Sequence, residues 1–375
     1  MPMTRDALLS RRQFASRVAA AGTAATLRAR RAEASLPAGA PADAIQLNSN
    51  ENPYGPSPRA LDALTRAQAA ASRYPDAAER RLSEAIAAAH GVAREQVVLG
   101  CGSGEVLQMA DMAFLRPGRT LVACEPTFEA VLGYARVTGA ETIKVPLTAD
   151  FRHDLPRMLG ACDERTGLVY VCNPNNPTGT LVGRDELALF LERAPRTAMV
   201  LVDEAYHHFV DDKAYASAFE WLPRQPNLLL VRTFSKVHGL AGLRLGYGVG
   251  SRETAAAIRA HAAFDNVNAG ALAAALASMT DEEHLSRQRT LNRDARDWLC
   301  RELDKDSRTY IPSHANFLMI DVGRDVGPVI EAFRGRDILV GRRFPSLPRW
   351  LRVSIGTPAE MRAFMDALRS MLATA

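Results

Sequence analysis

The order of apolar and polar positions predicts alternating strands and helices from about residue 44 onward. Val97-Val98-Leu99, Thr120-Leu121-Val122-Ala123, Leu168-Val169-Tyr170-Val171, Ala198-Met199-Val200-Leu201-Val202 and Leu228-Leu229-Leu230-Val231 are short apolar runs rich in β-branched residues. They lack strict alternation with polar residues, which is the pattern of strands covered on both faces. Helical stretches lie between them, including 77–90, 105–114 and 184–193, and Gly91 follows the first as a stop signal. Strands alternating with helices predict a mostly parallel sheet flanked by helices. Beyond about Ser251 the pattern changes to long helices. Apolar runs then follow at Phe317-Leu318-Met319-Ile320, Ile338-Leu339-Val340 and Leu351-Arg352-Val353-Ser354-Ile355. That predicts a smaller α+β domain. The expected divisions are a leader or extension over 1–34 and an N-terminal segment over 35–75 that joins the small domain. A large domain over 76–255 and a small C-terminal domain over 256–375 follow, with no internal repeat or low-complexity linker between them.

Composition narrows the class. The 375 residues are 47% hydrophobic and 23% charged, which excludes a disordered chain and leaves ample material for a large core. No run of about 18 apolar residues is present to form a transmembrane helix. Five dispersed cysteines without a C-x-x-C pair predict free thiols, with neither a disulfide framework nor a metal site. Charge matters only at the start. Residues 1–34 hold seven arginines against Asp6 and Glu33, a net of +5 where the whole chain is +4, leaving −1 for the rest. The body is therefore nearly neutral, and no nucleic-acid partner is expected. Ser10-Arg11-Arg12-Gln13-Phe14-Ala15 resembles a twin-arginine export signal. An alanine-rich stretch and a small-x-small site at Ala32-Glu33-Ala34 follow it. This resemblance implies a periplasmic mature protein with no membrane attachment. Without a working signal the protein stays in the cytoplasm.

Candidate chemistry gathers at the ends of consecutive predicted strands. Asn173-Pro174-Asn175-Asn176-Pro177-Thr178-Gly179 follows one, and Asp203-Glu204-Ala205-Tyr206 ends the next. Thr233-Phe234-Ser235-Lys236 ends a third, with Arg244 eight residues further on. Singly these are a loop, a cap and a surface pair. In this order they predict a ligand site, because open α/β sheets assemble their sites at strand ends.

These motifs resemble the fold-type I pyridoxal-phosphate aminotransferases of class I/II, and more narrowly their histidinol-phosphate aminotransferase branch. Further matching runs are Asn50-Glu51-Asn52-Pro53-Tyr54-Gly55-Pro56-Ser57-Pro58, Tyr74-Pro75, Gly102-Ser103-Gly104-Glu105 and Leu351-Arg352-Val353-Ser354-Ile355-Gly356-Thr357, so the resemblance spans about 45–372. It implies a fold-type I architecture and pyridoxal 5′-phosphate as cofactor. Lys236 would hold the cofactor through its amine and move the proton at the substrate Cα, with a pKa depressed by neighbouring cations. Asp203 would face the pyridine nitrogen and keep it protonated. Asn176 and Tyr206 would donate to the ring 3′-oxygen. Thr233, Ser235, Arg244 and the Ser103-Gly104-Glu105 turn would form the phosphate cup, using the free N–H groups of a helix start. Phe128 would stack on the ring, where many relatives carry tyrosine. Tyr74 would reach the phosphate of a neighbouring subunit, which implies a homodimer with shared sites.

The same resemblance places substrate-binding roles on Asn52, Tyr54, Asn176 and Arg352, with Arg342 or Arg343 as a second anion-binding arginine. A planar bidentate donor suits a carboxylate or a phosphate. The implied partners are a small-molecule amino donor and a 2-oxo acid. The implied reaction converts histidinol phosphate and 2-oxoglutarate to imidazole acetol phosphate and glutamate. Transamination of aromatic or other amino acids, and decarboxylation of threonine phosphate, are the alternatives. His207 and His208 are expected to be structural.

Overall fold

The computed structural model describes residues 44–372; the leader pattern at 10–15 and the small-x-small site at 32–34 lie outside them. In chain order the strands are β1 (Ile45–Leu47), β2 (Val97–Gly100), β3 (Thr120–Glu125), β4 (Glu141–Pro146), β5 (Thr166–Cys172), β6 (Met199–Asp203), β7 (Leu228–Thr233) and β8 (Gly246–Val249). Then come β9 (Tyr310–Ile311), β10 (Phe317–Asp321), β11 (Ile338–Val340) and β12 (Trp350–Ser354). Seven strands form the main sheet in the order β2-β8-β7-β6-β5-β3-β4. Neighbours from β4 through β7 are parallel, and β8 runs antiparallel to both β2 and β7. The expected mostly parallel sheet is therefore present, with one reversed strand near its edge.

The unbroken apolar runs are explained by two buried faces. Val122, Val169, Val171, Val200, Val202 and Leu230 project into a core with helices Asp76–His90, Arg184–Arg193 and Ala269–Met279. The intervening Leu121, Leu168, Tyr170, Leu201 and Leu229 project into a second core with helices Ser103–Phe114 and Arg252–Arg259. Burying one such side chain contributes about 1.5–3 kcal/mol, so both layers fix the register of the strands. Gly91 ends helix Asp76–His90 in the left-handed conformation, at φ 65°, as its position predicts.

A third core holds Leu47, Leu299, Leu318, Ile320, Phe333, Leu351, Val353, Phe364 and Leu368. Over it lie the antiparallel sheet β12-β10-β9 and the parallel pair β1-β11. The N-terminal segment thus joins the C-terminal part through β1, but its helix Pro58–Ala67 packs on helix Ala269–Met279 beside the main sheet. The core of the main sheet takes in helix Ala269–Met279, and the third core takes up the chain from Ala295. Helix Ala269–Met279 is almost wholly small and apolar, so its periodicity does not reveal which core it serves. Among the described residues no helix is long and apolar enough to cross a membrane, and no cluster of ligating side chains could hold a metal ion.

Candidate active site

The C-terminal ends of β5, β6 and β7 open onto a cavity of about 860 Å³. The strands bring Cys172, Asp203 and Val231 level with one another, so the loops that follow must meet at one edge. Asn176, Asp203, Tyr206, Thr233, Ser235, Lys236 and Arg244 all line the cavity. Ser103, Gly104, Phe128, Arg342 and Arg352 line it too.

Lys236 Nζ donates to the Asn50 carbonyl at 3.0 Å and the Ser49 carbonyl at 3.3 Å. Its pKa is lowered to about 8. Desolvation is the largest cause, ahead of the cations Arg352 and Arg244, and Glu51 and Asp203 oppose it. The expected depression is present, but burial rather than like charge dominates it. Asp203 is 3% exposed. Its carboxylate accepts from Tyr170 Oη at 2.9 Å and from the Ala205 N–H at 3.1 Å. Burial raises its pKa to about 6 against those two bonds. A buried carboxylate so placed gains from a cationic partner such as a protonated ring nitrogen.

The Tyr206 phenol oxygen accepts from Asn50 Nδ2 at 3.1 Å and Asn176 Nδ2 at 3.4 Å. Burial keeps the phenol protonated. With both neighbours donating to its oxygen, its own proton is left to donate into the cavity. Asn176 Oδ1 in turn accepts from Arg352 Nη1 at 2.8 Å, and Arg352 Nη2 donates to the Asn48 carbonyl at 2.8 Å. Arg352 Nε is buried without a partner.

The anion end is equally specific. Gly102 precedes helix Ser103–Phe114 at φ 82° and ψ 159°, a region that belongs to glycine. A Cβ there would lie 2.2 Å from Arg244 Nη2. Only glycine lets the Arg244 guanidinium lie against the helix start. Thr233 Oγ1 donates to Ser235 Oγ at 3.0 Å and accepts from the Ser235 N–H at 3.1 Å, which fixes both hydroxyls. Hydroxyls, a helix start and a guanidinium together fit a phosphate.

Several expected residues stand elsewhere. Glu105 does not line the cavity. Its carboxylate turns back to accept from the Cys101 N–H and Asn266 Nδ2, both at 2.5 Å, so the side chain secures the loop. Asn52 holds the following turn, accepting from the Tyr54 N–H and donating to the Val237 carbonyl at 3.0 Å, beside Lys236. Neither Asn52 nor Tyr54 lines the cavity. Tyr74 is 77% exposed and outside it. Arg343 pairs with Asp325 at 2.7 Å and leaves Arg342 as the arginine on the cavity wall. His207 and His208 are held neutral by burial and line a separate pocket. Tyr170, Glu129 and Phe344 lie outside the matching runs, and Asn50 heads one of them without a role assigned to it. Asn50 was legible in principle, since asparagine tolerates its φ of 54°. Tyr170 reads as one more apolar strand residue.

A lysine, a buried carboxylate, a phenol with its proton free and a phosphate-sized cup fit pyridoxal phosphate, and they define a pyridoxal-phosphate-dependent transferase. The chain belongs to the aminotransferase class I and II family, whose model matches residues 42–368. It is 40% identical to the histidinol-phosphate aminotransferase of Moorella thermoacetica over 334 residues, covering 88% of this chain and 86% of that one. It is also 40% identical to histidinol-phosphate aminotransferase 2 of Pseudomonas aeruginosa, covering 89% and 90%. The histidinol-phosphate aminotransferase of Sinorhizobium meliloti, solved in complex with pyridoxal-5′-phosphate, superposes with a TM-score of 0.83 at 27% identity. That superposition covers 88% of this chain and 91% of that one. The protein is an aminotransferase, and its cofactor is pyridoxal phosphate.

Proposed function

We propose that this aminotransferase takes histidinol phosphate as amino donor and 2-oxoglutarate as acceptor, releasing imidazole acetol phosphate and glutamate. The observation that carries this is that two arginines, Arg352 and Arg342, line the same cavity. Two guanidiniums suit a dianionic phosphate ester. The names of the relatives at 40% identity support the same donor. When bound, pyridoxal phosphate supplies an aldehyde that takes the amino group and a ring that delocalises the electron pair freed at the substrate Cα. Asp203 would hold the proton on the ring nitrogen. Tyr206 and Asn176 would donate to the ring oxygen. Lys236 Nζ, with its lowered pKa, would take the proton from the substrate Cα and return it to the cofactor's former aldehyde carbon.

The test compares kcat/KM for histidinol phosphate with phenylalanine, tyrosine and histidine, all with 2-oxoglutarate. A charge-assisted hydrogen bond contributes about 1.5–3 kcal/mol, so a donor that leaves one guanidinium unmatched loses roughly ten- to a hundred-fold. An uncharged aromatic donor that wins by tenfold removes the proposal.

We also infer a homodimer in which Tyr74 completes the phosphate site of the neighbouring subunit. Its 77% exposure, away from its own cavity, supports this. A fully active monomer in sedimentation at micromolar concentration would exclude it. We infer export by the twin-arginine route from the 10–15 pattern alone. Fractionation of cells carrying Arg11→Lys and Arg12→Lys variants tests it, with retention in the cytoplasm expected.

A further inference from the structure

The two cavity arginines are not equivalent. Arg352 is held by neutral acceptors only, Asn176 Oδ1 and the Asn48 carbonyl. Arg342 is held by a charge: its Nη2 forms an ion pair with Glu129 Oε2. Both guanidiniums face the Phe344 ring, Arg342 at 4.3 Å and Arg352 at 5.3 Å from its centre. Both line the same cavity. Glu129 directly follows Phe128, in the segment after β3, whereas Arg342 follows β11, so the pair bridges two walls of the same cavity. Two cations and one carboxylate leave this corner one positive charge in excess.

We propose that Glu129 is a specificity-determining residue: its carboxylate occupies Arg342 in the absence of substrate and is displaced only by a substrate with a dianionic end. This rests on the phosphate-ester reading above. Glu129 and Arg342 are each about half exposed, with side-chain exposures of 46% and 52%, so the pair is held weakly. A dianion that bridges Arg352 and Arg342 has two guanidiniums to gain and displaces Glu129. A neutral side chain has no charge with which to do so and leaves the pair closed. A singly charged ion is matched by Arg352 alone and still meets the repulsion of Glu129. The carboxylate thus acts against weaker anions, and its removal weakens discrimination as well as raising affinity.

The experiment uses the holoenzyme with wild-type Glu129, with Glu129→Gln and with Arg342→Gln. The probes are histidinol phosphate, phenylalanine and inorganic phosphate as a competitive inhibitor. Glu129→Gln is expected to lower KM for histidinol phosphate and the inhibition constant of inorganic phosphate, each three- to tenfold. The effect falls on KM rather than kcat, and KM for phenylalanine moves less than twofold. Arg342→Gln moves the phosphate constants the opposite way. Glu129→Asp, which keeps the charge, retains the weak phosphate inhibition of the wild type. The proposal is overturned if Glu129→Gln leaves the inorganic-phosphate constant unchanged while Arg342→Gln weakens it. It is equally overturned if Glu129→Gln shifts KM for phenylalanine as much as for histidinol phosphate. Failure of the substrate reading looks different. Phenylalanine would then outpace histidinol phosphate in the wild type, whereas the role of Glu129 is still judged on inorganic phosphate.

Discussion

Asn50 Nδ2 donates to the Tyr206 phenol oxygen at 3.1 Å, across 156 positions of sequence. Asn50 is 1% exposed and adopts the left-handed conformation, at φ 54°. Its N–H donates to Ser354 Oγ at 2.8 Å, and its carbonyl accepts from Lys236 and Asn316. One residue thus ties the N-terminal segment to the phenol, the lysine and β12. Asn50→Gly keeps the backbone conformation and removes the two side-chain bonds, Nδ2 to Tyr206 and Ser354 Oγ to Oδ1 at 3.3 Å. A bond of this kind contributes about 0.5–1.5 kcal/mol, so kcat/KM should fall roughly two- to tenfold. Asn50→Ala adds backbone strain of about 1–2 kcal/mol and should also lower Tm. Tyr206→Phe combined with Asn50→Gly should lose less than the sum of the two, because both act through the same oxygen. A double-mutant cycle on kcat/KM checks this, and full additivity would separate the two residues.

Lys236 gives a pH dependence with a definite sign. Its pKa of about 8 lies below the usual 10.5. Below about pH 8 the amine is mostly protonated and cannot add to the cofactor aldehyde. The rate of cofactor capture by the cofactor-free protein should rise nearly tenfold per pH unit up to about 8 and then level. An ordinary lysine would continue to gain up to about 10.5. Stopped-flow visible absorbance measures this directly. Borohydride reduction of the loaded protein should fix the label on Lys236, and Lys236→Ala should abolish turnover while leaving the fold intact.

Gly102 tests the anion end separately. Gly102→Ala would place a methyl group 2.2 Å from Arg244 Nη2, in a backbone region that non-glycine residues avoid. The guanidinium is flexible enough to withdraw, so the variant should still fold, with a loss of about 1–3 kcal/mol. Withdrawal of Arg244 removes a charge-assisted contact to phosphate. Affinity for pyridoxal phosphate should fall about tenfold or more, read by equilibrium dialysis, while affinity for the phosphate-free pyridoxal changes little. Equal losses for both would place Gly102 outside the phosphate cup.

Much of this site was legible in the sequence because its residues follow strands whose ends the sheet topology brings together. Asp203, Asn176, Lys236 and Arg244 needed only the order of motifs. The loop tie made by the Glu105 carboxylate was not legible, because it depends on the approach of Asn266 from a distant segment. Arg342 and Arg343 are adjacent, and no pattern says which faces inward; Asp325 settles it by claiming Arg343. The contributions of Tyr170 and Glu129 rest on contacts between segments far apart in sequence, Tyr170 with Asp203 and Glu129 with Arg342. The packing of helix Ala269–Met279 on the main-sheet core was not legible for the same reason: its apolar residues are visible, but the surface they cover is not.

Asp111 was invisible as a special residue and now carries a stability prediction. It lies in helix Ser103–Phe114, is 0% exposed, and neither carboxylate oxygen has a partner among the described residues. Burial alone raises its pKa from 3.8 to about 8. Between those values the folded chain keeps a proton that the unfolded chain releases. Stability must therefore fall as pH rises through that window, and level off above about 8. The slope from this one group is at most about 1.4 kcal/mol per pH unit. Asp111→Asn has no such proton and nearly the same shape. Its Tm should exceed that of the wild type at pH 7, by a margin that widens from pH 5 to pH 8 and narrows toward pH 4. Thermal melts of both proteins across this range measure the margin. A difference in Tm that stays constant with pH would mean that Asp111 titrates normally and is reached by water in the folded protein.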